Sequence, residues 1–130
     1  MRHPVHTALL LLLAVPGAAR ASGGGAAPLN LVPMDEVSVP IIDGDRTDGA
    51  LQFKLVLETK DEAAADSARA ALPLLRSASI AAGAEFARLY ASPMMPLDAR
   101  RMASDMTTAL RAVNPGIARV LLVEVIAVQG

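Results

Sequence analysis

Residues 102–129 read MASDMTTALRAVNPGIARVLLVEVIAVQ, a helix, a stop and a strand in one line. Met102, Ala103, Met106, Ala109, Leu110 and Val113 recur at steps of three and four, as one face of a helix requires. Asn114-Pro115-Gly116 ends that helix, and Arg119–Gln129 follows as a nearly unbroken apolar run rich in Val. Such a run predicts a strand deep in a sheet, and the rest of the chain must supply its neighbours.

Working outward, the best neighbour is Ala50–Thr59. Leu51, Phe53, Leu55 and Leu57 alternate with Gln52, Lys54, Val56 and Glu58, the period of a strand with one buried and one wetter face. Val37, Val39 and Ile41 alternate in the same way over Val37–Ile42, although Pro40 assigns that strand to an edge or a bulge. The polar stretch Asp43–Gly49 reads as the loop of a hairpin joining the two. Leu29–Glu36, which contains Pro33, reads as an irregular or edge segment.

Between the strands lies helical sequence. Asp61 is placed to cap, with Glu62 and Asp66 in the first turns. Ala64, Ala68, Leu72, Leu75, Ser79, Ala82, Phe86 and Leu89 then hold the helical spacing. Pro73 predicts a kink, and Gly83 predicts an end, with Ala84–Tyr90 as a short second piece. Ala91–Pro96 reads as a connector, its Met94-Met95 pair filling gaps in the core. Asp98 caps a last helix, Ala99–Val113. The expected fold is therefore α+β: a small, mostly antiparallel sheet of about three strands packed by two long helices.

With 130 residues the chain suits one domain, and with no cysteine it has no disulfide, thiolate nucleophile or cysteine zinc site. A formal charge of −1 with interspersed signs gives no electrostatic footprint for nucleic acid. The N-terminus reads as an export signal: Arg2 and His3, then apolar Ala8–Val15, then Pro16-Gly17 and the small-x-small step Ala19-Arg20-Ala21. Eight residues at helical rise cover ~12 Å of a ~30 Å bilayer core, so a cleaved signal (1–21) is expected rather than an anchor. Cleavage before Ser22 leaves a flexible lead-in (22–31) and a domain (32–130) in an extracytoplasmic, periplasmic setting, with no stable membrane span. It also removes His3 and His6, the only histidines.

Chemistry is sparse in what remains. Asp43 and Asp45 have the first spacing of a calcium loop, but Asp48-Gly49 puts the glycine one place late and Lys54 stands where a bidentate Glu belongs. A solvated turn is the better reading. Glu124 interrupts the last apolar strand, and burial would raise its pKa unless it reaches solvent or pairs with Arg119 or Arg76. Arg100, Arg101 and Arg111 lie on the outer face of the last helix, a solvated face or a contact for an oligomer or acidic partner. With no His or Cys, and no glycine-rich phosphate loop or GxSxG, the residues point to no catalytic, cofactor or metal site and to no enzyme.

The order of elements resembles the periplasmic domain of the flagellar basal-body-associated FliL family. Leu55-Val56-Leu57-Glu58 with Lys60-Asp61-Glu62-Ala63 is similar to its strand-to-helix junction. Leu72-Pro73-Leu74-Leu75-Arg76 is similar to its proline-arginine signature, Asn114 to its helix-ending Asn, and Gln129 to its terminal Gln. The likeness covers Val32–Gln129. The chain departs from the family in its cleavable signal, in Ser77 after the arginine, in Pro96-Leu97-Asp98 before the last helix, and in the position of Glu124, which marks a divergent member. The resemblance implies a stomatin-like fold and a structural role in motility, with self-association or flagellar stator and basal-body proteins as partners. A periplasmic binding or assembly-factor domain unrelated to the flagellum is the alternative.

Overall fold

The computed structural model describes residues 30–130. The expected signal at 1–21 and most of the expected lead-in lie outside the described residues. In chain order the elements are β1 (Asn30–Pro33), β2 (Val37–Asp43), β3 (Arg46–Thr59), α1 (Glu62–Ala70), α2 (Leu72–Tyr90), α3 (Ala99–Val113) and β4 (Ile117–Gln129). The fold is α+β, with a four-stranded antiparallel sheet and three helices among the described residues. Strand β1 takes Asn30 and Leu31, the last two residues of the lead-in expected to reach residue 31.

Everything pairs with β3. Along one of its edges β2 takes the first half and β1 the second, end to end. Along the other runs β4, from Gly49 opposite Gln129 to Thr59 opposite Ile117. The hairpin β2–β3 closes more tightly than the expected seven-residue loop. Asp43 pairs with Arg46, and Gly44 supplies the positive φ (64°) that a two-residue turn needs.

Period two does the sorting in β3. Leu51, Phe53, Leu55 and Leu57 are buried beneath the helices with Val32, Val37, Val39 and Ile41, while Lys54 on the other face is exposed. The helices close this core with Ala65, Ala68, Leu75, Phe86, Met102, Met106 and Leu110. Asp61 caps α1 by accepting from the Ala64 amide, and Asp98 caps α3 by accepting from the Arg101 amide.

Four further expectations are corrected. Pro73 does not kink a helix interior: α1 stops at Ala70, and Pro73 sits in the first turn of α2, where its missing N–H is not needed. Gly83 does not end α2, which runs through it to Tyr90; the glycine is buried against the Phe53 ring. Met94 and Met95 fill no gap, being 78% and 69% exposed.

The fourth concerns β4. It lies at the sheet edge and, among the described residues, pairs with β3 alone. Only Ile117 and Val120 of this strand are buried, whereas Val123 and Ile126 are 57% and 50% exposed. An apolar run reports what its side chains prefer but not whether both backbone edges are taken.

Candidate interaction surface

The outer edge of β4 has no partner strand among the described residues, as is also true of the outer edges of β1 and β2 across the sheet. A bare strand edge is a row of backbone donors and acceptors, and proteins normally blunt it. Here α3 does so at one point. The Val120 amide donates to the Thr107 hydroxyl at 3.0 Å, and that hydroxyl donates onward to the Ala103 carbonyl at 2.8 Å. Between α3 and the edge lies a groove of about 500 Å³, floored by small residues such as Ala103 and Ser104 and walled by Arg119–Leu122.

A bulge reshapes the same strand. Leu55 faces Leu122 and Lys54 faces Glu124, leaving Val123 without a partner. The bulge returns Glu124 to the open face of the sheet, where it is exposed. Glu124 is therefore a surface residue standing across from Lys54. Its two expected partners are engaged elsewhere. Arg119 pairs with Glu58 across the β3–β4 ladder. Arg76 donates to the Asp35 and Glu36 carbonyls at 3.4 and 3.2 Å, clasping the β1–β2 connector.

The arginines on α3 divide in the same way. Arg101 lies 4.0 Å over the Tyr90 ring and donates to its hydroxyl at 2.7 Å, so it fastens α3 to the end of α2. Arg100 lines the groove beside β4. On α2, Arg88 grips Glu85 through both carboxylate oxygens at 3.1 and 2.7 Å, and this holds the Glu85 carboxyl below its ordinary range.

A second, smaller groove of about 300 Å³ opens between Pro33, Met34, Leu72 and Pro73, with Arg76 at its side. Among the described residues no three or more His, Cys, Asp or Glu gather as metal ligands would, and no helix is long and apolar enough to cross a membrane. At the helix-to-strand corner, the Asn114 side chain accepts from the Gly116 amide at 3.0 Å. At the far end of β4, Gln129 donates to the Met94 sulfur at 3.3 Å.

Sequence reasoning missed Thr107 and Leu122 at the edge. The one signal was a threonine bordering the apolar stripe of Met102, Met106 and Leu110 on α3. No protein-family model matches the chain, and no curated protein matches it. What the fold and this surface define is an α+β module with an open strand edge beside a groove on α3.

Proposed function

We propose that the chain is a non-enzymatic structural or assembly protein of the periplasm, resembling the FliL family and associated with the flagellar basal body and its stator units. Its signal is cleaved before Ser22, and it acts through contacts with itself or with basal-body and stator proteins. The observation that supports the reading is positional. Five of the residues behind the resemblance stand at or beside a change of element: Glu58 near the end of β3, Asp61 capping α1, Pro73 opening α2, Asn114 ending α3 and Gln129 ending β4. Spacings between such residues are set by element lengths, which is what a likeness in element order requires. A free strand edge with no cluster of catalytic groups beside it also favours contact over catalysis.

Deleting the gene tests this. The expected result is impaired swimming in viscous medium, together with co-purification of stator or basal-body proteins with the tagged chain. Normal swimming under load with no motor protein captured overturns it. A genome without flagellar genes does the same and leaves the assembly-factor reading standing.

A further inference from the structure

The hydrogen-bond phase of the β4 edge follows from one contact. Because the Val120 amide goes to Thr107, it points away from β3. In an antiparallel ladder such outward residues recur at every second place, so Leu122 also turns its backbone groups outward, and Leu121 turns its groups toward Val56. By side chain, Val120 and Leu122 lie on the helix face opposite Leu57 and Leu55, while Arg119, Leu121 and Glu124 share the open face with Glu58, Val56 and Lys54.

We propose that this edge pairs with the same edge of a second copy of the chain, antiparallel about a two-fold axis at Leu121. A two-fold interface must be self-complementary, and this one is. Leu121 meets Leu121. Val120 of each copy meets Leu122 of the other, and both already turn their backbone groups outward. With Val123 bulged on both strands, Arg119 of each copy meets Glu124 of the other on the open face.

The charges select this register. Arg119 and Glu124 are the only charged residues of β4, opposite in sign and on one face. Behind them β3 supplies Glu58 and Lys54. The row across the two copies therefore runs Glu58, Arg119, Glu124, Lys54, alternating in sign, and its two-fold mate repeats it. Other registers lose both pairs. The groove beside Arg119–Leu122 gives room for the incoming strand, with Leu122 of the second copy over the small residues of α3. The strand carries no proline and no lysine to repel such pairing. Thr107 holds the Val120 amide in the single chain and yields it to the second copy's Leu122 carbonyl.

The inference rests on the self-association in the reading above but not on its flagellar part. Failure to capture motor proteins would leave it untouched, and a monomer in solution would leave the flagellar part untouched. Sedimentation equilibrium of the purified processed protein over a concentration series is the test, and a monomer–dimer equilibrium is expected. R119E and E124R each create two like-charge pairs across the interface and should weaken association about tenfold or more. Mixing the two variants restores it, because each interface then holds two opposite-charge pairs. Far-UV circular dichroism verifies that each variant is folded. T107V keeps both charges and frees the Val120 amide, so it tightens the dimer. A wild-type protein that stays monomeric, charge reversals without effect, a mixture that does not recover, or association unchanged by T107V each overturns the proposal.

Discussion

The ring of Phe53 lies so close to Gly83 that a Cβ at residue 83 would stand 2.7 Å from both Cε1 and Cζ. Strand β3 and helix α2 therefore meet through the absence of a side chain, and that contact sets how deeply the helix sits on the sheet. It also explains why a glycine persists in the middle of a helix, where it costs about 1 kcal/mol relative to alanine.

G83A should lower stability. Overpacking a filled core costs roughly 1–3 kcal/mol, which exceeds the ~1 kcal/mol gained in helix propensity. In an F53L background the ring is gone, and the same substitution should become neutral or stabilising. Urea unfolding of the four proteins of this cycle measures the coupling. An equal cost in both backgrounds would show that the ring is not the obstacle.

T107V should cost about 1 kcal/mol at protein concentrations where the chain is a monomer, because the Val120 amide loses its acceptor. Amide hydrogen exchange reads this locally. Val120 should exchange faster in the variant, while amides paired between β3 and β4, such as that of Leu121, keep their protection.

How much of this was legible follows from where the information sits. The alternation in β3 and the bounds of α3 were readable because each is local: one strand face buries its residues, and Asp98 and Asn114 bracket one helix. The edge position of β4 was not, since its apolar residues describe side-chain preference and not backbone partners. Gly83 misled because a glycine that breaks a helix and one that admits a ring look alike in sequence. The contacts of the candidate surface join residues far apart in the chain, Arg119 with Glu58 and Val120 with Thr107. No local pattern encodes either. Met94 and Met95 show the same limit, since nothing in an apolar pair says which way a connector turns it.

R76A should loosen the β1–β2 connector with little global effect. The two hydrogen bonds to Asp35 and Glu36 carbonyls are long and solvent-facing, so a loss of up to about 1 kcal/mol is expected. Limited proteolysis near Asp35-Glu36 should accelerate. R76K should not restore protection, because a single ammonium cannot span both carbonyls as the guanidinium does.

Glu85 should titrate below the ordinary carboxylate value of 4.5, chiefly because of the hydrogen bonds it accepts from Arg88. A carboxyl whose folded pKa is depressed contributes stability that is fully present above its unfolded pKa. That contribution is lost as pH falls through the lowered folded value. The pair is fully exposed, so water and salt screen it, and its effect belongs to the local titration rather than to the global melt. Carboxyl-carbon NMR across the acidic range measures it. In R88A the Glu85 midpoint should move up toward its ordinary value, and in wild type added salt should move it the same way by a smaller amount. A midpoint that ignores R88A would mean that the contact between the two side chains does not persist in solution.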